Sequence, residues 1–469
     1  MAGKYQAYPE YKKSSVGILG EIPSEWEVLR YKNVLKIMQG MAFKSSEYVD
    51  ASSVVNIRMG NIKKGGDIDL KHNNKYLPEN YKGLYGAYEL YEGDAIIAMT
   101  DMSPTLDFLA VPAILEGLDE NTSYLLNQRV GKLLLDKKFD IRFIRYLLLS
   151  DELRTQLKAK GLGTVQANMS NDDLYSSYFF CPSSKERLKI VDFLDHETAK
   201  IDSLIETQQR LIKLLNEKRQ AVISHAVTKG LNPNAPMRDS GVEWLGDVPE
   251  HWDVVAIKHI VSTPVTDGPH ETPEFLDEGV PFISAEAVSS GQINFDKIRA
   301  HISEEDNQRY SLKYSPKKYD IYMVKSGATT GVTAIVETDK KFNIWSPLAV
   351  IRCKEESYPY FVLNFMRSYN FKEAVELNWS FGTQQNIGMG VIENLHITRP
   401  PIAEAKEISE KLVEQCDVYD SVIDKASSQI DLMQERRAAL ISAAITGRID
   451  VRNWQAPEPS DNQSKEEAA

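Results

Sequence analysis

EKRQAVISHAVTKG (Glu217–Gly230) returns 218 residues later as ERRAALISAAITGR (Glu435–Arg448). Seven residues of the first copy, Glu217, Arg219, Ala221, Ile223, Ser224, Ala226 and Thr228, meet Glu435, Arg437, Ala439, Ile441, Ser442, Ala444 and Thr446 in the second. Two helices of similar composition could match by chance over one such segment. The matching extends outward, however. SSVGILGEIPSEWEV (Ser14–Val28) returns as SGVEWLGDVPEHWDV (Ser240–Val254), placing Gly20, Pro23 and Trp26 226 residues before Gly246, Pro249 and Trp252. Ile57, Gly65 and Asp94 stand in the same register with Ile283, Gly291 and Asp320. Collinear similarity across both halves identifies a tandem duplication.

Each half divides into a mixed region and a long helix. In the mixed region short apolar strands alternate with Gly, Asp, Pro and Asn turns, as in VVNIRMGNIKKGGDIDL, EGDAIIAMT and VGKLLLD. Helical patterns such as FIRYLLLSDELRTQLKAKG interrupt them. This mixture predicts a compact α+β domain in each half. The helix that follows opens at Ser183 with Glu186 three residues on, a capping-box spacing. Its counterpart opens with Pro401, suited to a first helical position. Gly230 and Gly447 are placed to close the two helices as left-handed caps.

Apolar residues recur along both helices at heptad spacing. Ile201, Leu204, Leu211, Leu215 and Val222 form one stripe; Val422, Met433 and Leu440 form the other. Lys218, Gln429 and Arg436 interrupt it, so an ideal two-stranded zipper is not expected. One stripe alone would suit an ordinary buried helix. Two similar stripes in one chain predict an intramolecular antiparallel coiled coil between the globular parts.

At 469 residues the chain exceeds what one core usually supports, and its 42% hydrophobic and 26% charged residues are ordinary for a globular protein. No long apolar run or signal-peptide core appears, so neither a membrane span nor export is expected. The three cysteines, Cys181, Cys353 and Cys416, form no CxxC pair, which argues against a disulfide framework or a structural zinc and fits a reducing cytoplasm. The net charge of −12 runs against a simple nucleic-acid binder, although the acidic tail after Trp454 carries part of it and charge acts locally. Phosphate-loop, dinucleotide, HExxH, GxSxG and amino-methyltransferase motifs are all absent. Asp339–Lys341 is too short a carboxylate–x–Lys pattern to mark a nuclease. No catalytic residue and no metal site is assigned.

LGEIPSEWEV near the start, TDGPHETPEF in the second half and ERRAALISAAITGRID at the end resemble the specificity subunit of type I restriction–modification enzymes. The resemblance spans about residues 14–452, including the duplicated layout. It implies a non-catalytic, DNA-binding subunit with two target-recognition domains, each reading one half of a split site. It also implies that the helices act as a ruler and as docking surface for two methyltransferase subunits, and that motor-nuclease (restriction) subunits complete the assembly. S-adenosylmethionine, ATP and Mg²⁺ would bind those partners and not this chain. The expected layout is a recognition domain over 1–183, a helical spacer over 184–230, a second recognition domain over 231–400, a second spacer over 401–450 and an acidic, disordered tail over 451–469. A coiled-coil scaffold without DNA binding, or a nuclease with an unrecognised site, are the competing readings.

Base reading requires polar side chains on turns held by strands, with phosphate contacts setting register. In the second half such turns offer Thr266, Asp267 and His270, then Lys325, Ser326, Thr329 and Thr330, then Thr383, Gln384, Gln385 and Asn386. In the first half the comparable stretches start at Gln39, Thr100 and Gly161, and supply Lys44, Thr100, Ser103, Thr105, Gln166 and Asn168. Arg58, Asn61, Gln128 and Arg129 complete the candidates. Trp26 and Trp252 are assigned to packing.

Overall fold

The run VVNI (Val54–Ile57) is buried at every position, as a strand covered on both faces must be. It pairs in parallel with Ser123–Leu126, and Lys75–Leu77 and Glu89–Leu90 complete a four-stranded sheet. The other sheet of this region is antiparallel, ordered Pro112–Ile114, Ala95–Ala98, Val130–Leu135 and Leu35–Gln39. This computed structural model describes residues 5–103, 106–160, 167–289, 291–379 and 385–457.

The second half repeats the plan. Val280–Ile283 runs parallel to Asn343–Ile344 and antiparallel to Ala300–Ile302. Thr266–Asp267, Leu348–Ile351, Ile321–Val324 and Thr333–Ile335 form the antiparallel sheet. The turn aspartates at matched positions are both caught by a cation from the neighbouring strand or its end, Asp94 by Lys132 at 2.5 Å and Asp320 by Arg352 at 2.7 Å.

The stretch FIRYLLLSDELRTQLKAKG breaks into two helices, Ile141–Leu148 and Asp151–Ala159. Ser150 makes the break: its hydroxyl accepts the Leu153 N–H at 3.3 Å, an N-cap that competes with continued helix. Ser368 does the same for Phe371 at 3.2 Å, between Pro359–Arg367 and Tyr369–Asn378.

The long helices run over Ser184–Lys229 and Ile402–Ile445. Ser183 accepts the Glu186 N–H, but the Glu186 side chain turns to Tyr8 and Trp26 instead of back to the cap. Pro401 sits one residue before its helix, where its carbonyl accepts the first helical bond from Ala405. Gly230 and Gly447 adopt φ of +75° and +72°, the left-handed caps expected of them.

Two compact units emerge, one comprising Met1–Thr207 with Gln429–Ala469, the other Gln208–Ser428. Each contains part of both long helices. In the first unit Ile190, Val191, Phe193, Leu194 and Ile201 share a core with Leu440, Ile441, Ala444 and Ile445. Asp202 pairs with Arg437, whereas Glu186 and Gly447 both lie at Trp26, so the helices pass antiparallel. In the second unit Ile223, Ala226 and Val227 pack with Ala405, Ile408 and Leu412, and Arg219 pairs with Asp420 at 2.5 Å.

The heptad stripes are only partly buried. Ile201 and Leu440 lie in the first core, with Met433 packed against it, and Val222 packs against the second. Leu215 is half-buried, while Leu204, Leu211 and Val422 stay exposed. The small Ala426, outside the predicted stripe, is buried. Near the chain ends Asp450 N–H donates to the Gln6 carbonyl at 2.8 Å, so the termini of the first unit meet. Among the described residues, no helix is long and apolar enough to cross a membrane.

Candidate nucleic-acid interface

The parallel strand pair and the antiparallel sheet bring distant turns to one place in each unit. In the first unit Met41 donates to the Leu126 carbonyl and Gln128 to that of Met41, both at 2.9 Å. Asn127 donates to Ile57 at 3.0 Å, Met99 to Arg129 at 3.0 Å and Met169 to Met99 at 2.8 Å. Five chain segments, around residues 40, 58, 100, 128 and 168, are thereby tied by backbone hydrogen bonds. Gly40 is required at the crossing, because a Cβ there would lie 2.3 Å from the Asn127 carbonyl oxygen.

The second unit repeats three of these bonds. Trp345 donates to Ile283 at 2.8 Å, Lys325 to Pro347 at 2.8 Å and Ile387 to Lys325 at 2.9 Å. Gly327 donates to Gln385 at 3.0 Å, and Ser326 bridges Asn386. Here Gly268 makes the close crossing, with the Ile344 carbonyl oxygen 2.2 Å from where a Cβ would stand.

Within the first unit the candidates separate by role. Lys44, Gln128, Arg129 and Asn168 are exposed, on segments fixed by these bonds. Asn61 is fully buried, accepts the Arg58 N–H at 3.0 Å and donates to Asp69 and Asn74, so it holds its loop and presents nothing outward. Thr100 is likewise buried, its hydroxyl against the Met59 sulfur at 3.4 Å. Arg58 is half-buried and reaches the Asn73 carbonyl at 2.8 Å. Ser103 accepts from Asp107 N–H at 3.1 Å and braces its own turn.

Asp101, not among the candidates, anchors that turn: fully buried, it accepts N–H groups from Ser103, Phe108 and Leu109 at 2.7, 2.6 and 3.1 Å. The Arg154 guanidinium pKa is lowered by burial, against the opposing charges of Asp101, Asp107 and Asp151.

In the second unit Thr266, Lys325, Ser326, Thr329 and Thr330 are half-buried, and His270, Gln385 and Asn386 are exposed. The Thr330 hydroxyl donates to Gly327 at 2.7 Å, closing the KSGATTG turn. Asp267 is fully buried and cannot meet a ligand directly; it binds side chains that can. One of these, Lys313, was missed from sequence because nothing around it marks a site, and it arrives from beyond the helix Glu304–Ser311. Thr105, Gln166, Thr383 and Gln384 lie outside the described residues.

Polar groups on rigid, convergent turns, with apolar sheets behind them, are what groove reading requires. Among the described residues no group of three or more His, Cys, Asp and Glu side chains is placed to hold a metal ion.

Comparison with known proteins identifies the family. The type I restriction enzyme EcoBI specificity subunit of Escherichia coli is 24% identical over 465 residues, covering 96% of this chain and 91% of its own length. The putative MjaX specificity subunit of Methanocaldococcus jannaschii is 24% identical over 456 residues, covering 95% and 99%. A chain solved in a study of assembly and conformational transition of the type I R-M system shares the fold, with a TM-score of 0.62 at 16% identity over 91% of this chain and 99% of that one. The model of the type I restriction modification DNA specificity domain matches twice, at residues 23–215 and 249–418, once in each copy of the repeat; the chain therefore belongs to that family.

Proposed function

We propose that this chain is the non-catalytic subunit that gives a type I restriction–modification complex its DNA sequence preference. Each unit reads one half of a bipartite site in double-stranded DNA. The observation that carries this reading is the convergence, in both units, of matched turns at the ends of matched strands, by backbone bonds and by the close crossings at Gly40 and Gly268. Duplication supplies two similar readers for two half-sites, as two-fold dimers of repressors do with two chains. Divergence of the turns allows the halves of the site to differ.

The long helices set the distance between the half-sites and dock methyltransferase subunits, two by the symmetry of the repeat. Exposed Leu204, Leu211, Leu214, Val418, Val422 and Leu432 support this, since apolar side chains left in water on a long helix are suited to a partner. S-adenosylmethionine, ATP and Mg²⁺ belong to the methyltransferase and motor-nuclease partners.

The test is co-expression with a methyltransferase subunit followed by methylome sequencing. Adenine methylation at one split motif, with a non-specific gap, is the expected result. An active complex that modifies a continuous motif, or nothing, sinks the reading. Exchanging residues 1–183 for those of a relative must change one half of the motif only.

A further inference from the structure

Asp267 is an unusual residue to find at the floor of a reading surface. It is fully buried, yet Lys313 Nζ lies 2.5 Å from its Oδ1, while Lys325 Nζ and His270 Nε2 lie 3.3 and 3.0 Å from its Oδ2. Burial, the largest influence, pushes this carboxyl up; the hydrogen bond from Lys313 and the charges of Lys313, Lys325 and His270 outweigh it and hold it below its ordinary value. It is therefore a carboxylate. Two ammonium groups on one carboxylate leave a surplus of positive charge. That surplus faces outward at Lys313, which is 47% exposed, while Lys325 is 12% exposed beneath it.

The first unit lacks this arrangement at the matching positions. Strand register fixes the match: Asp267 lies opposite Ala349 and Val324 opposite Leu348, as Gln39 lies opposite Gly131 and Ala98 opposite Val130. Asp267 thus corresponds to Gln39, and Lys325, the residue after Val324, to Met99. The next residues agree, since Gly268 and Gly40 make the same close crossing. One reader has a cationic floor; the other has an amide and a buried thioether.

Resting on the reading of these units as DNA readers, we propose that Asp267 is a positioning residue that gathers Lys313 and Lys325, beside His270, into a cationic surface whose ammonium donors select guanine at one position of the second half-site. Guanine presents only acceptors, O6 and N7, in the major groove apart from its pairing partner, and a lysine is complementary to them. The neutral pair Gln39 and Met99, the first exposed and the second buried, makes no such demand of the first half-site.

The experiment uses the full chain assembled with its methyltransferase subunits and a duplex library randomised across both halves. Lys325→Met, and Asp267→Gln with Lys325→Met, install the residues that stand at the matching positions of the first unit. Lys313→Gln changes an exposed side chain and keeps the test open if the buried variants do not assemble. All three are expected to reduce preference for one guanine in the second half-site by about tenfold or more, with the first half unchanged. Equal loss of binding to every sequence, the signature of a phosphate contact or a purely structural role, overturns the proposal. So does a change in the first half, an unaltered motif, or a wild-type second half-site without guanine. A wild-type complex that selects no sequence at all would instead refute the reading of the units as DNA readers.

Discussion

The indole Nε1 of Trp252 lies 3.1 Å from the Glu404 carboxylate, and Trp26 stands at the same 3.1 Å from Glu186. The tryptophans are related by the offset of the N-terminal repeat (26 to 252), the glutamates by that of the helices (186 to 404). Each bond therefore joins the two registers of the duplication inside one unit. Both indoles are buried, and each also covers the glycine that ends the other long helix, Gly447 at Trp26 and Gly230 at Trp252. The segment carrying the tryptophan, the start of one helix and the end of the other are pinned at one side chain.

Trp26→Phe keeps most of the packing but removes the donor, leaving Glu186 with Tyr8. A buried carboxylate that loses one bond costs about 1–3 kcal/mol. Thermal or urea unfolding of the purified chain should show that loss. A variant as stable as wild type would mean that the bond contributes nothing net.

The two helix-capping glycines should differ in their tolerance of a side chain. Both have positive φ, but a Cβ on Gly447 would stand 2.3 Å from Pro23 Cγ, whereas the nearest atom to one on Gly230 is the Trp252 ring at 3.3 Å. Gly447→Ala combines left-handed strain with a clash and should destabilise by more than about 2 kcal/mol, Gly230→Ala by about 1 kcal/mol. The reverse order in denaturant midpoints would count against the caps as described.

Glu152 responds to pH in the opposite sense to an ion-paired carboxylate. Burial raises its pKa, against the Ser442 hydrogen bond and the Arg448 charge. A carboxyl with a raised folded pKa opposes folding once pH exceeds the unfolded value, and stops doing so below it. Glu152→Gln keeps an acceptor for Ser442 and should raise the unfolding midpoint at pH 7 by about 1–3 °C. The gain should disappear below about pH 4. A gain that persists undiminished in acid would exclude this cause.

If the long helices set the gap, adding one matched turn to both, within the exposed middle of each, should lengthen the gap of the methylated motif. At ~1.5 Å per residue a turn adds about 5 Å. The two half-motifs themselves should not change. Long-read methylome sequencing of cells carrying the variant reads both quantities at once, and an altered half-motif would argue against a ruler.

Much of the fold was legible in the sequence because it rests on local chemistry. Ser183, Gly230 and Gly447 mark helix ends by satisfying or relieving backbone groups nearby. The apolar runs VVNI and AIIA mark buried strands by composition. The candidate site was legible only in outline. Lys44, Gln128 and Gln385 are exposed polar residues on the turns where they were sought, whereas Asn61 and Thr100 are polar residues of the same kind turned inward. A residue's type does not reveal which way its turn faces.

By itself, then, the sequence determined the duplication, the division of each copy into turn-rich region and capped helix, and the family. These follow from spacing along the chain, which the sequence contains. The tertiary structure decided which turns converge, which helix positions stay uncovered, and that Asp267 is shared by Lys313 and Lys325 where the first unit has Gln39 and Met99. Such contacts arise from strand register and parallel pairing between segments dozens of residues apart. Charge interacts through space, so its meaning appears only once the chain has folded.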